Sequence, residues 1–195
     1  MIFSTAYFPS IEYFMRVFQT NEILLESKEF YIKQTYRNRC NILTNQGLMP
    51  LIIPVLKKFG NKTLIKDIEI EFDTDWQATH FKSIDTAYGS SPFYEFYIDD
   101  FRIFFEKKFK FLFDFNTLIL ERLLEVLDFE KKINFSTVYE NSYPLDLRNS
   151  IHPKKQSNSV KFKEYTQVFN TEGFVPNLSI LDLLFNEGTE SYKYL

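Results

Sequence analysis

Two arginines lie close together in a short polar run in the first half of the chain. The run, residues 33–39 (KQTYRNR), has apolar residues on both sides. If it continues as a β-strand, alternation places Arg37 and Arg39 on one face and Asn38 on the other. Paired guanidinium groups can bind a phosphate or a carboxylate bidentately. The run therefore predicts an anion subsite; the alternative is a solvent-facing strand whose arginines pair with nearby glutamates.

One histidine shares a predicted helix with the only tryptophan. Trp76 and His80 are four residues apart and therefore lie on one helix face. A neutral imidazole can act as a general base, and an indole ring can form an apolar wall or a platform for a sugar. A single histidine on a helix is also commonly a hydrogen-bonded structural side chain, so both interpretations stay open. The other histidine, His152, precedes a proline in a predicted loop and is a weaker candidate.

Two carboxylates and a cysteine complete the set of reactive side chains. Glu26 closes the second predicted strand, and sites in α/β folds lie beyond the carboxyl ends of strands. Asp182 lies among leucines in a predicted helix, so it is either paired inside the core or directed into a site. A thiolate nucleophile at Cys40, next to Arg39, is conceivable, although a free cysteine is usually a small core residue.

Composition excludes several classes of function. The net charge of −3, without a long basic run, argues against a nucleic-acid partner. Two histidines are too few for a histidine-rich metal centre, whereas a carboxylate site stays open. With only 5 glycines the chain has no glycine-rich phosphate loop, and no motif names a metal or a cofactor.

The expected compartment is the cytoplasm. A single cysteine fits a reducing environment. Residues 1–4 lack the basic start of an export signal, and no stretch reaches the roughly 18 apolar residues that a membrane span needs. The sequence leaves the oligomeric state open, a homo-oligomer included.

Hydrophobic periodicity assigns the elements that must position these residues. The predicted strands cover residues 2–8, 22–26, 31–34, 39–43, 48–55 and 66–72. The predicted helices cover residues 11–19, 75–88, 101–113, 116–127 and 176–188, and Pro92 is predicted to restart a helix. Asp73 or Thr74 is the expected cap of the second helix. Pro50 and Pro54 indicate either an edge position or irregular pairing for their strand.

These elements predict an α/β fold, with a mixed α+β class as the alternative. An N-terminal βα unit and a β-meander form a mixed sheet, and the helical second half packs on it. Residues 1–195 are expected to form one domain. Turn formers and charges without periodicity at residues 140–165 predict a mobile loop.

The chain resembles the WbqC-like protein family. The resemblance runs in order over roughly residues 5 to 190, and extended motifs carry it. They are YFPSIEYF at residues 7–14, YIKQTYRNRCNI at 31–42, LIIPV at 51–55, AYGSSPFY at 87–94 and NLSILDLLFNEG at 177–188. Many relatives carry a Gln-Pro pair near the first strand, whereas this chain has Phe8-Pro9.

The resemblance implies a role in surface-polysaccharide (O-antigen type) or amino-sugar metabolism. A group-transfer enzyme would bind a phosphorylated or carboxylated sugar or nucleotide-sugar substrate. The matching positions that would bind it are Arg37, Asn38, Arg39, Trp76, Tyr88 and Tyr7. The catalytic group would be His80, oriented by Glu26 or Asp182. The alternative is a non-catalytic module that binds a ligand or a protein partner.

Overall fold

The computed structural model describes residues 1–155, 160–169 and 173–195. Its strands are β1 (Ile2–Phe3), β2 (Glu22–Leu25), β3 (Arg39–Thr44), β4 (Gly47–Ile52), β5 (Val55–Leu56), β6 (Glu69–Ile70) and β7 (Lys132–Phe135). Its helices are α1 (Ile11–Phe18), α2 (Trp76–Tyr88), α3 (Tyr94–Glu106), α4 (Leu112–Val126) and α5 (Ile180–Glu187). Helices and strands share one compact domain, so the predicted α/β class is confirmed.

The parallel sheet grows from the predicted βα unit. Strand β1 pairs with β2 in parallel, and α1 makes the connection between them. Ser10 caps α1 by accepting a hydrogen bond from the backbone N–H of Tyr13, and the apolar face of the helix is buried. Strand β2 then pairs in parallel with β7, giving the order β1-β2-β7.

A further segment extends this sheet beyond β1. Asp146 forms a parallel bridge with Ile2. The backbone N–H of Ile2 donates to Leu145 at 3.1 Å, and that of Leu147 donates to Ile2 at 3.0 Å. Four parallel segments of backbone therefore run side by side, with residues 145–147 at one edge and β7 at the other.

Strands β3 and β4 form the predicted hairpin. Gly47 has φ of +94°, which a glycine in the turn adopts without strain. Pro50 pairs with Asn41 in the register, and because proline lacks an N–H, its backbone must face away from β3. Pro50 therefore lies on an edge strand, as predicted, and it limits pairing with a further strand.

Four predicted strands are shorter than expected or absent. The strand predicted at residues 48–55 is divided between β4, which ends at Ile52, and β5, which begins at Val55. Residues 2–8 give only the two residues of β1, and Phe8, at the end of this run, has φ of +36°. Residues 31–34 form no strand: residues 33 and 34 lie in a turn, with Gln34 at φ of +61°. Residues 66–72 alternate best in the sequence yet form only β6, because a 3₁₀ turn (Ile65–Asp67) takes up their start.

The helix boundaries also differ from prediction. Asp75, rather than Asp73 or Thr74, caps α2. The predicted helix at 101–113 is α3, which begins earlier and ends at Glu106. Residues 107–111 are not helical; the backbone N–H of Ile70 donates to the carbonyl of Lys110 at 2.9 Å, and Phe111 forms a bridge with Glu69. Among the described residues, no helix is long and apolar enough to cross a membrane.

Candidate functional site at the carboxyl edge of the parallel sheet

The register of the parallel sheet places four polar residues in one row. Strands β1, β2 and β7 end level with each other, and the residue that follows each strand lies at the carboxyl edge. These three residues are Ser4, Glu26 and Ser136. Arg148, which follows the segment 145–147, joins them, because the hydroxyl of Ser4 donates to its carbonyl at 2.9 Å. Sites of α/β proteins are typically located at this edge.

Glu26 is the central carboxylate of the row and is fully buried. Its Oε1 accepts hydrogen bonds from the hydroxyl of Ser136 at 2.5 Å and from the backbone N–H of Lys28 at 2.8 Å. Its Oε2 accepts one from Nη1 of Arg148 at 3.0 Å. Two dipoles and one cation therefore compensate the buried charge.

A second buried ion pair, between Glu29 and Arg37, lies beside the first. Nε and Nη2 of Arg37 donate to the two oxygens of Glu29 at 2.8 and 2.6 Å, which is a bidentate pair. Nη2 also donates to the hydroxyl of Ser4 at 2.6 Å and to the carbonyl of Arg148 at 3.2 Å. Arg37 thus joins the two ion pairs in one network, and its donors are directed at protein groups.

Arg148 organises the loop that crosses this edge. Its guanidinium bonds Asp146 at 2.5 and 3.0 Å, and this contact raises the pKa of Arg148 and lowers the pKa of Asp146. The guanidinium carbon lies 4.9 Å from the ring centroid of Tyr139 and 5.1 Å from that of Tyr143. Nη1 also donates to the carbonyl of Glu140 at 2.9 Å. The ring of Tyr139 therefore lies against a guanidinium that belongs to the network.

An open cleft of about 460 Å³ adjoins the network. It is lined by Lys28, Glu29, Phe30, Ile32, Tyr139 and Asn149. Phe30, Ile32 and Tyr139 are 53%, 42% and 51% exposed, so apolar and aromatic faces are accessible there. The volume fits a small organic molecule, and aromatic faces between polar groups suit a sugar or nucleoside ring.

The structure places His80 in a different group, with Tyr7 and Trp76. Nδ1 of His80 is 3.0 Å from the hydroxyl of Tyr7, and its ring centroid is 5.2 Å from that of Trp76. Burial lowers the pKa of His80 to about 4, while a hydrogen bond with the backbone of Ile52 opposes this shift. The partners of the imidazole are therefore a phenol and a backbone group, and not Glu26 or Asp182 as expected.

Asp182 belongs to a third buried group, with Tyr88. Its carboxylate accepts hydrogen bonds from the hydroxyl of Tyr165 and, at 3.1 Å, from Nε2 of Gln167. Burial raises its pKa, and the hydrogen bonds from Tyr165, Gln167 and Tyr88 partly offset the rise. The backbone N–H of Leu43 donates to the hydroxyl of Tyr88 at 3.4 Å. The group ties α5 to α2 and to the segment 160–169.

Three other predicted residues have distinct environments. Asn38 donates from its side chain to the carbonyl of Ile53 at 2.8 Å and so fastens the hairpin. Burial raises the pKa of Cys40, which opposes a thiolate. Arg37 and Arg39 do not share a strand face, because Arg37 precedes β3 and is buried beside Glu29, whereas Arg39 opens β3.

Sequence reasoning missed most residues of the site, namely Ser4, Lys28, Glu29, Phe30, Ile32, Ser136, Tyr139, Arg148 and Asn149. Ser136 follows a four-residue strand with only a weak alternating pattern. Arg148 lies within the predicted mobile loop at residues 140–165, and Tyr139 directly precedes it; residues 156–159 of that segment are outside the described part of the chain. The one available signal was the position of Glu29, three residues after Glu26.

The fold and the charged edge define an α/β protein with a cleft at the end of its parallel sheet. Comparison of sequences assigns it more narrowly, because a profile of the WbqC-like protein family matches residues 5–148 and 148–194. The chain belongs to the WbqC-like protein family. It is also similar to "Uncharacterized protein Rv1507c" of Mycobacterium tuberculosis, at 25% identity over 224 aligned positions, covering 100% of this chain and 96% of that protein. No solved structure matches the chain.

Proposed function

We propose that the protein is a group-transfer enzyme of surface-polysaccharide or amino-sugar metabolism whose substrate binds in the cleft at the carboxyl edge. One observation carries this proposal: the ends of four parallel segments place two buried ion pairs beside an accessible aromatic cleft. Buried charges are expensive to maintain, and perturbed or paired charges next to a cleft are a common mark of a functional site.

In this proposal the aromatic wall holds the ring of the substrate. Phe30 and Tyr139 supply faces against which a sugar or base can pack, and the amide of Asn149 can bond a hydroxyl. Arg148 keeps Tyr139 in place through its stacked contact. The role of the network is therefore to position the cleft before the substrate arrives, which lowers the entropy that binding would otherwise lose.

Proton transfer in the cleft is assigned to Lys28, a partly exposed ionisable group that lines it. Glu29 also lines the cleft, but Arg37 holds both of its oxygens, so it is not assigned this role. His80 is 5% exposed and is bonded to Tyr7, so it is not assigned this role. Asp182 is held by Tyr165 and Gln167 in a separate group. Glu26 acts as a positioning group through Arg148.

The test begins with a thermal-shift screen against nucleotide sugars, sugar phosphates and free sugars. A ligand at a hundred times its Kd stabilises the folded state by about 2.7 kcal/mol. Tyr139→Ala should abolish the shift of the selected ligand. The matched control is Phe96→Ala, since Phe96 is 74% exposed on α3, away from the lining of the cleft.

Turnover of the selected ligand then separates the two classes of function. Mass spectrometry of the ligand with candidate acceptors should detect a transferred group with the wild-type protein and not with Lys28→Gln. Stoichiometric binding without turnover would favour the non-catalytic alternative. Equal shifts in Tyr139→Ala and Phe96→Ala would contradict the location of the site.

A further inference from the structure

Basic side chains converge beside the cleft on two facing segments of the chain. Nζ of Lys155 donates to the carbonyl of Asn149 at 2.8 Å, and Asn149 lines the cleft. Nζ of Lys154 donates to Oε1 of Gln34 at 2.7 Å, which joins residues 149–155 to the turn that precedes β3. Both ammonium groups are exposed and are held by neutral oxygens.

His152 lies in the electrostatic field of these cations. Burial lowers its pKa, and the charges of Lys155, Arg37, Lys154 and Arg39 lower it further. The backbone N–H of Lys154 donates to its Nδ1 at 3.1 Å. The imidazole is therefore neutral near pH 7, with Nδ1 as the acceptor and Nε2–H as a donor that remains for another group.

Arg39 differs from Arg37 in the partners that it has. Nε of Arg39 is buried, and no described residue accepts a hydrogen bond from it. Burial raises the pKa of Tyr31 to about 12, and the charges of Arg39 and Arg37 oppose this shift. The chain neighbours of Tyr31, Phe30 and Ile32, line the cleft. A buried donor without an acceptor is costly, so an acceptor from a ligand is expected.

We propose that Arg39, His152, Lys154 and Lys155 form a subsite for the phosphate of a ligand whose ring lies in the cleft. The inference rests on the proposed function for the ring and adds the substrate class, a phosphorylated sugar or a nucleotide-linked sugar. Among the described residues, no salt bridge involves the three cations of this subsite, Arg39, Lys154 and Lys155. A phosphate carries between one and two negative charges near pH 7 and offsets them better than a carboxylate does.

The probe for this subsite is inorganic pyrophosphate, titrated calorimetrically into the purified full chain. Lys154→Gln and Lys155→Gln should each raise its Kd about tenfold, since each removes a charged donor. Both positions are exposed, so the fold should be retained. Lys57→Gln, an exposed lysine that follows β5, is the matched control and should leave the Kd unchanged.

The outcomes separate this inference from the proposed function. Absence of pyrophosphate binding, or an unchanged Kd in both lysine variants, overturns the subsite. If Tyr139→Ala weakens the binding of a sugar phosphate from the screen but the lysine variants do not, the cleft is supported as the binding site and the phosphate subsite is refuted. If the lysine variants weaken the binding of pyrophosphate but Tyr139→Ala weakens the binding of no sugar or nucleotide sugar, the phosphate subsite is supported and the proposed function is refuted.

Discussion

The buried pair between Arg37 and Glu29 provides the sharpest test of the network. Replacing Arg37 with Met removes the bonds of 2.8 and 2.6 Å to Glu29 and the bond of 2.6 Å to Ser4. The arginine and glutamate side chains are only 2% and 5% exposed, so water cannot replace the lost partner. An uncompensated carboxylate then remains in the interior.

The magnitude follows from this burial. Breaking a buried pair by removing one partner costs about 3–5 kcal/mol, and we expect Arg37→Met to lower the free energy of unfolding by that amount. The double variant Arg37→Met/Glu29→Met leaves no buried charge from the pair. It should therefore be more stable than Arg37→Met, and the two effects should not add.

Urea unfolding followed by circular dichroism measures these differences, with equal m-values as the check on two-state behaviour. The control pair is Arg102 with Asp99, whose side chains are 46% and 79% exposed at 3.0 Å. Arg102→Met should cost less than about 1 kcal/mol. Equal losses in Arg37→Met and Arg102→Met, or additive losses in the double variant, would refute the reasoning.

Three other predictions address the buried groups and one close contact. Because burial lowers the pKa of His80 to about 4, the imidazole should titrate near that value when followed by NMR. The stability that this group contributes is complete above about pH 6.5 and is lost as the pH falls through about 4. A titration midpoint near 6.5 in the folded protein would contradict this prediction. Burial raises the pKa of Asp182, so the stability it contributes is greatest below about pH 4 and is lost as the pH rises through the raised value. The stability of Asp182→Asn, measured by urea unfolding, should therefore rise relative to that of the wild type as the pH goes from acidic to neutral. A difference in stability that does not change with pH would argue against the raised pKa. Gly188→Ala, at φ of +56°, places a Cβ 2.6 Å from the ring of Phe93 and should lower the free energy of unfolding by about 2–3 kcal/mol. In the control Gly60→Ala, at φ of +58°, the Cβ meets no atom within 4 Å, and the loss should be only about 1–2 kcal/mol. Equal losses of stability in the two variants would exclude the clash with Phe93.

The parts of the site that were predictable are those with a local pattern. The run from Glu22 to Glu26 is apolar between polar ends, so both β2 and the place of Glu26 after it follow from the sequence. The turn at Gly47 and the proline at position 50 likewise predict the hairpin and its edge. In each case the physical cause acts within a few residues.

The parts that were not predictable depend on long-range pairing. Glu26 and Arg148 are separated by 122 positions, so no local pattern joins them. The clear alternation at residues 66–72 failed because the backbone there divides its hydrogen bonds between β5 and residues 110–112. Tertiary pairing thus decides which periodic segment becomes a long strand.

The two arginines show how one backbone feature changes a functional assignment. A continuous strand would place Arg37 and Arg39 side by side, as alternation predicts. Instead, a turn with Gln34 at φ of +61° precedes β3, and Arg37 donates inward to Glu29 while Nε of Arg39 is buried without a described acceptor. The same residue type therefore has two roles at positions only two apart: Arg37 holds the network together, and Arg39 is the arginine with a donor left for a ligand. For this reason, loss of binding in an Arg37 variant reports on the fold, whereas the exposed lysines beside Arg39 report on the ligand.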